Sequence, residues 1–142
     1  MICINRNFIC LWYYPGGKTL REAFENVGLC MMNYMTPLTG IEAHGKTSQT
    51  RTYKASGLDL HSLLYHWLDE LLFGFATDCF VPCELQIVTF DRESWTIEAQ
   101  GSGEVFDHNK HASGTEIKAI TYSAMQVEER DGDAEVFVIV DI

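Results

Sequence analysis

The last third of the chain constrains the fold most, because three stretches there have the pattern of β-strands. Within residues 114–122 two sets of side chains alternate with the period of two that suits a sheet with two different faces: Ile117, Ala119 and Thr121 against Glu116, Lys118, Ile120 and Tyr122. Residues 125–129 and 135–142 are the second and third predicted strands, and Asp131-Gly132-Asp133 between them is a turn signal. A sheet is therefore expected at this end of the chain.

The end of the third predicted strand is a candidate cation site. Asp141 and the terminal carboxylate of Ile142 would place two anionic oxygen groups side by side at a tied-down strand end. Carboxylate oxygens suit a hard cation such as calcium. The alternative interpretation is a solvated strand end, and the spacing alone favours that alternative.

The composition describes one acidic globular domain. The chain has 142 residues, of which 46% are hydrophobic and 21% are charged, enough for a buried core. Twenty acidic against ten basic residues give a formal charge of −10. Because no basic stripe is present to neutralise phosphates, direct binding of nucleic acid is disfavoured. An acidic face better suits a basic protein partner or a cation.

The cysteines and the absence of targeting signals indicate an intracellular protein, in the cytoplasm or nucleus. The odd count of five cysteines favours reduced thiols rather than a disulfide framework. Residues 1–14 contain apolar patches, but Arg6 divides them and no small-residue cleavage site follows. No apolar stretch approaches the length of a membrane span, so no membrane partner is expected.

Two amphipathic helices are predicted in the first half of the chain. Thr19 and Glu22 have the spacing of a capping box, in which each side chain satisfies a backbone donor of the other residue. Thr36-Pro37 ends this helix, and Asp59 caps the second. Apolar residues recur at helical spacing in both: Leu20, Ala23, Phe24, Val27, Cys30, Met31 and Tyr34, then Leu60, Leu63, Leu64, Trp67, Leu68, Leu71, Leu72 and Phe75.

The remaining strands complete an α+β fold class. Residues 8–14 and 50–54 are predicted strands, and residues 84–90 and 95–99 form a hairpin around the turn at residues 91–94. Residues 78–83 link the second helix to this hairpin, Gly101 and Gly103 allow a bulge, and residues 106–113 form a polar loop. The order indicates a single compact domain with an antiparallel sheet packed against two main helices.

Zinc binding and nucleophilic catalysis find little support. His61 and His66 are five residues apart and do not share a helix face, so they cannot form an i, i+4 zinc pair. Four residues, Cys79, Cys83, His108 and His111, could form a Cys₂His₂ site, but the loose spacing and the expected burial of both thiols argue against it. The chain has no glycine-rich phosphate loop and no convincing nucleophile–base pair.

Several stretches of the chain, taken together, resemble the archease family. The resemblance runs from about Gly17 to Ile142, and its most specific motifs are residues 114–122 and the final Asp141-Ile142. The motifs that carry it are Thr19-Leu-Arg-Glu-Ala-Phe-Glu25, Tyr34-Met-Thr36, Leu63-Leu64, Trp67-Leu-Asp-Glu-Leu-Leu72, Phe80-Val-Pro82, Gly114-Thr-Glu-Ile-Lys-Ala-Ile-Thr-Tyr122 and Asp141-Ile142.

The resemblance implies a non-enzymatic activator of the RtcB-type RNA ligase, which joins tRNA halves during splicing. In the family, archease promotes guanylylation of the ligase from GTP with divalent metal (manganese in the ligase) and so restores it for multiple turnover. By resemblance, Lys118 matches the family's functional lysine, and Asp141 and Ile142 match two contacts to a metal such as calcium.

The first sixteen residues depart from the family pattern. Archeases open with an Asp-His-Thr-Ala-Asp motif whose second aspartate completes the metal site, and this chain lacks it. Counted back without gaps from Thr19, the two aspartates fall on Arg6 and Cys10. Residues 1–16 are therefore interpreted as a divergent N-terminal segment and residues 17–142 as the archease domain. Since a thiol is a poor ligand for a hard cation, weakened metal affinity and impaired ligase activation are expected.

Two other functions remain open on the sequence. A small metal-dependent enzyme acting on nucleotides or phosphoesters would use Asp141, Lys118 and His111, with Glu116 or Asp107 as a further carboxylate. A structural adaptor in an RNA-processing assembly would need none of these side chains. The lack of a nucleophile–base pair favours the activator and the adaptor over the enzyme.

Overall fold

A computed structural model describes the backbone of residues 2–4 and 8–12 and all atoms of residues 17–142. Two helices and eight strands are formed by these residues, together with a 3₁₀ turn at Leu38–Gly40. In chain order they are β1 (Ile2–Ile4), β2 (Phe8–Trp12), α1 (Leu20–Met35), β3 (Gln49–Ser56), α2 (Leu60–Asp78), β4 (Phe80–Asp91), β5 (Thr96–Val105), β6 (Ala119–Ile120), β7 (Gln126–Arg130) and β8 (Asp133–Asp141).

The larger sheet is organised around β8. Its strand order is β1-β2-β8-β6, and β7 pairs with the first half of β8 on the same side as β6. All of these pairings are antiparallel. Alternate residues of β8 are buried, namely Ala134, Val136, Val138 and Val140. The strand therefore anchors the core with one face, and its end at Asp141 has a fixed position.

The smaller sheet has the order β3-β5-β4, with every pairing antiparallel. Both helices contact strands from both sheets, so the two helices and the two sheets share one hydrophobic core. Trp67 of α2 is fully buried, and its indole nitrogen donates a hydrogen bond to the carbonyl of Phe24 in α1 at 2.9 Å. The predicted α+β class is confirmed, with two antiparallel sheets where the sequence suggested one.

The first predicted strand of the last third is wrong over most of its length. Only Ala119–Ile120 pair as a strand, whereas residues 114–118 are irregular. The amides of Gly114 and Thr115 donate to the carbonyls of Met35 and Tyr34, at 2.7 and 3.1 Å. Because these donors pair with the end of α1, they are not available to a neighbouring strand.

The capping box predicted for α1 is half correct. Thr19 accepts a hydrogen bond from the amide of Glu22 at 3.2 Å, but the Glu22 carboxylate accepts from the amide of Lys18 rather than from that of Thr19. The reciprocal arrangement is found at α2 instead. There Asp59 accepts from the amide of Ser62 at 2.8 Å, and the Ser62 hydroxyl accepts from the amide of Asp59 at 3.1 Å.

The hairpin differs from its prediction at both ends. β4 begins at Phe80, so the link from α2 is Cys79 alone, with a left-handed φ of 55°. Trp95 belongs to the turn, with a φ of 51°. Two irregularities in register lie in β4, at Cys83 and at Val88, and not at Gly101 or Gly103 of β5. Neither thiol is buried as expected, because Cys79 is exposed and Cys83 half-buried.

The strand predicted at residues 8–14 is observed as β2, and residues 13 and 14 lie outside the described part of the chain. The backbone of Cys10 pairs with Ile139, and that of Phe8 with Asp141. The side chains at positions 6 and 10, which bear on the missing aspartates, also lie outside the described residues. The turn at residues 131–132 is observed as predicted, with Gly132 in the left-handed region at a φ of 74°.

Candidate functional site at the end of β8

Lys118 and Asp141 are brought together by the backbone. The amide of Lys118 donates a hydrogen bond to the carbonyl oxygen of Asp141 at 2.8 Å. The next residue, Ala119, is the direct partner of Asp141 in the β6–β8 pairing. On its other side Asp141 pairs with Phe8 of β2. Asp141 is thus held between two strands, and Lys118 is fixed beside it.

The side chains at this strand end are free to interact with a partner. Lys118 and Asp141 are both exposed, and neither forms an ion pair with another residue of the described chain. Ile142 is half-buried and packs against the hydrophobic core. The three residues named by the resemblance therefore lie at one place, and their functional roles remain predictions.

The described residues supply an incomplete set of ligands for a cation. Asp141 offers a carboxylate, but no three His, Cys, Asp or Glu side chains within the described residues lie close enough to hold a metal ion. Position 10 pairs with Ile139, which makes it the diagonal neighbour of Asp141 on the adjoining strand. The missing family aspartate would therefore fall next to this strand end.

The weaker candidates are not assembled at this strand end. Glu116 is exposed two residues before Lys118. Asp107 uses its carboxylate in a local turn, accepting from the amide of Asn109 at 2.8 Å. His111 is buried, and both of its ring nitrogens are engaged in hydrogen bonds. In the described residues, no Cys₂His₂ group is formed with Cys79, Cys83 or His108.

A buried carboxylate cluster, which the sequence did not predict, lies at the end of β5. Only 2% of the Glu104 side chain is exposed. One carboxylate oxygen accepts from the Lys110 ammonium at 2.6 Å and from the Thr47 hydroxyl. The other accepts from the Glu42 amide at 2.9 Å and lies 3.2 Å from the His111 Nε2. We call these five residues the Glu104 cluster.

Hydrogen bonding keeps Glu104 ionised. Burial alone raises the pKa of a carboxyl, because it disfavours the charged form. For Glu104 the hydrogen bonds from Lys110, Thr47, Glu42 and His111 outweigh burial and lower its pKa to about 2. The Lys110 ammonium responds in the complementary direction, and its hydrogen bond to Glu104 raises the pKa of Lys110. The cluster is therefore a stable charged unit at neutral pH.

The residues after Lys118 are also held in place. Thr121 donates through its hydroxyl to the carbonyl of Ile139 at 2.8 Å. Tyr122 stacks on Tyr65 of α2 with ring centroids 4.3 Å apart and planes inclined by 10°. These contacts fix the chain beyond β6 to β8 and to α2. They give the threonine and the tyrosine at the end of the motif a structural role.

The fold and this strand end define a class: an α+β domain whose two helices and two antiparallel sheets enclose one core, with an exposed lysine–carboxylate pair at the end of the central strand. No helix of the described chain is both long and apolar enough to cross a membrane.

Residues 15–142 match the Archease protein family. The solution structure of protein 1598 from Methanobacterium thermoautotrophicum is similar, with a TM-score of 0.67 and 27% identity, covering 99% of this chain and 95% of that one.

Curated relatives agree with this match. The chain is 43% identical over 132 residues to an archease-like protein of Dictyostelium discoideum, covering 93% of this chain and 87% of the relative. It is 45% identical over 127 residues to the archease of Danio rerio, covering 89% and 75%. An archease-like protein of Drosophila melanogaster is 46% identical over 129 residues, covering 89% and 80%. The chain belongs to the archease family.

Proposed function

We propose that this protein activates an RtcB-type RNA ligase and carries out no chemistry of its own. The observation that supports this role is the hydrogen bond that fixes Lys118 beside Asp141 while both side chains stay exposed and unpaired within the described chain. Charged groups on a fixed backbone can enter a partner's site without the additional cost of ordering that backbone. The role implies that the protein acts inside the cell, where tRNA is spliced.

Lys118 is proposed to interact with phosphate groups of the nucleotide bound to the ligase or with carboxylate groups of the ligase. An ammonium is a compact positive charge with three donors, which suits the anionic oxygens of a nucleotide during guanylylation from GTP. The chain as a whole is acidic, with a formal charge of −10, so Lys118 provides a localised positive charge in an acidic setting. An acidic surface also favours encounter with a basic region of the ligase.

Asp141 and the Ile142 carboxylate are proposed to be metal contacts of reduced strength. A bound hard cation such as calcium would orient phosphate groups for the ligase. Since no three His, Cys, Asp or Glu side chains are grouped among the described residues, weak affinity for the cation is expected in this chain. A carboxylate introduced at position 10, diagonal to Asp141, would supply the missing ligand.

A guanylylation assay of the ligase with GTP and manganese tests this function. The arms are ligase alone, ligase with this chain, ligase with Cys10→Asp, and ligase with Cys79→Asp as a control at an exposed cysteine away from the strand end. Stimulation by the natural chain shows that an aspartate at position 10 is not required. Stimulation by Cys10→Asp alone, with none by Cys79→Asp, shows an archease with a defective metal site.

Two results would contradict the activator role. If neither the natural chain nor Cys10→Asp stimulates guanylylation, a structural adaptor becomes the better account. If the chain hydrolyses or transfers nucleotide with no ligase present, it is a metal-dependent enzyme.

A further inference from the structure

Residues 106–118, which connect β5 to β6 and end at Lys118, contain no helix or strand. We call them the Lys118 segment. A segment of thirteen residues without regular structure has many conformations open to it, and side-chain contacts must select one. The described contacts of the Lys118 segment therefore determine where Lys118 lies.

The first anchor is His111. Its side chain is 2% exposed, and its Nδ1 accepts a hydrogen bond from the amide of Asp107 at 3.0 Å. Since Nδ1 is an acceptor in the neutral ring, Nε2 carries the hydrogen and donates to Glu104, 3.2 Å away. The imidazole thus closes the turn at residues 107–111 and ties it to the end of β5.

The second anchor is the end of α1. The Thr36 hydroxyl donates to the carbonyl of Ala112 at 2.7 Å, and the amides of Gly114 and Thr115 donate to the last carbonyls of the helix. Gly114 approaches so closely that a Cβ there would lie 2.2 Å from the carbonyl oxygen of Tyr34. Ile117 is then buried next to Lys118.

The two anchors have different energetic characters. Backbone hydrogen bonds to a helix end satisfy donors and acceptors that would otherwise be unpaired. A buried carboxylate is costly to dehydrate, and well-packed apolar side chains in place of a whole buried ionic cluster often cost little stability. Beyond stability, the charged cluster defines the orientation of the segment, because each hydrogen bond to Glu104 fixes an angle as well as a distance.

We infer that Glu104 and His111 are positioning residues for Lys118. They hold the first half of the Lys118 segment so that its second half can dock on α1 and place Lys118 beside Asp141. This inference rests on the proposed activation of the ligase for its effect on activity. It assigns no contact with the ligase to either residue, since both side chains are buried.

The test compares His111→Ala with His111→Gln in the guanylylation assay, with the concentration of each variant titrated. A glutamine amide can donate to Glu104 in place of Nε2, whereas alanine cannot. We expect His111→Ala to lower the maximal stimulation about tenfold, because displacement of a group by about 1 Å can cost that much or more. His111→Gln should restore most of it. The ligase without any added activator gives the baseline.

A matched control separates positioning from general destabilisation. Ile87 is buried in β4, far along the chain from the Lys118 segment, and Ile87→Val or Ile87→Ala is chosen to match the melting temperature of His111→Ala. Measured well below both melting temperatures, the control should stimulate the ligase like the natural chain. An equal loss of stimulation in the control would overturn the inference, as would full stimulation by His111→Ala.

Amide hydrogen exchange provides a readout that needs no ligase. The Lys118 amide donates to Asp141, so its exchange reports how often the segment leaves β8. We expect exchange about tenfold faster in His111→Ala than in the Ile87 control, which corresponds to a changed opening equilibrium. If neither the natural chain nor Cys10→Asp stimulates the ligase, the proposed function fails, yet this difference in exchange would still support positioning. Equal exchange in the two variants would refute it.

Discussion

The Glu104 cluster and the end of β8 use the same side-chain types in opposite ways. Glu104 is buried, and its two oxygens have four hydrogen-bonding partners within the protein. Asp141 is exposed and forms no ion pair with the described residues. A carboxylate whose acceptor sites are occupied contributes to structure, whereas one with open sites retains capacity for a metal or a partner.

The two lysines show the same contrast. The Lys110 ammonium lies 2.6 Å from one Glu104 oxygen and 3.7 Å from a Glu42 oxygen. Lys118 is held through its backbone amide, and its ammonium has no ion-pair partner in the described chain. The difference teaches that in this domain the charge proposed to be functional is held through its backbone, whereas the structural charge is held through its side chain.

Glu104→Gln should cause the largest loss of stability. The neutral amide cannot accept four hydrogen bonds, and its NH₂ group must face either Lys110 and Thr47 or the Glu42 amide and His111. We expect a loss of about 2–3 kcal/mol, less than for a fully enclosed pair because Lys110 can return to water. Urea unfolding gives the value. Glu98→Gln, at an exposed position on the same strand, is the control and should change stability by less than about 0.5 kcal/mol.

Gly114→Ala should follow, with a loss of about 2 kcal/mol. The added methyl group would lie 2.2 and 2.8 Å from the carbonyl oxygens of Tyr34 and Met35, and backbone cannot move aside as a flexible side chain can. Gly40→Ala is the control, because nothing lies within 4 Å of its added methyl group. Thermal unfolding of the two variants measures the difference. Equal melting temperatures would show that the close approach to α1 is not essential.

The pH dependence of stability should also reflect the Glu104 cluster. The pKa of Glu104 is about 2 in the folded protein, below its ordinary value of 4.5. A lowered carboxyl pKa stabilises the folded state above pH 4.5, and this contribution is lost as the pH falls from about 4.5 towards 2. Glu104→Gln should therefore flatten the stability curve in this window. Hydrogen bonds from Ser62 and Ser94 lower the pKa of Asp59 and Asp91, so some slope remains.

Tyr53→Phe should stabilise the protein by about 1 kcal/mol. The Tyr53 hydroxyl is buried without a hydrogen-bond partner among the described residues. Removing an unsatisfied polar group recovers its desolvation cost while leaving the ring, which meets Trp67 edge to face, unchanged. Tyr34→Phe, at a half-buried position, is the comparison. A destabilised Tyr53→Phe would show that the hydroxyl has a partner in the folded protein.

Periodic burial made the helices predictable. The stripes of α1 and α2 pack into the shared core as expected, and Asp59 caps α2. The alternation in residues 114–118 was misleading for a physical reason. Ile117 is buried between exposed Glu116 and Lys118, as in a strand, but the donors of Gly114 and Thr115 pair with the end of α1. The pattern of side chains along a segment indicates which of its faces is buried. It does not indicate which backbone groups form hydrogen bonds with that segment.

The Glu104 cluster was not predictable from the same rules. Alternation along β5 buries Ile97, Ala99, Gly101 and Gly103, which assigns Glu104 to the exposed face. Its burial depends on Thr47 and Glu42, which are far away in the chain, and on the turn closed by His111. A lysine and a histidine shortly after an acidic strand end were the only local signal. The family motifs, in contrast, named both Lys118 and Asp141, and the structure places them side by side.

Asp141→Asn should have the smallest effect on stability, within about 0.5 kcal/mol, because Asp141 is exposed and held by its backbone. The most direct measurement is the stimulation of ligase guanylylation by Asp141→Asn and Lys118→Ala, with Asp131→Asn and Lys54→Ala as surface controls. These substitutions are made in the natural chain or in Cys10→Asp, whichever of the two activates the ligase. We predict that Asp141→Asn and Lys118→Ala lose stimulation although their melting temperatures are normal. The controls should retain it. Full stimulation by Asp141→Asn and Lys118→Ala would contradict the role assigned to this strand end.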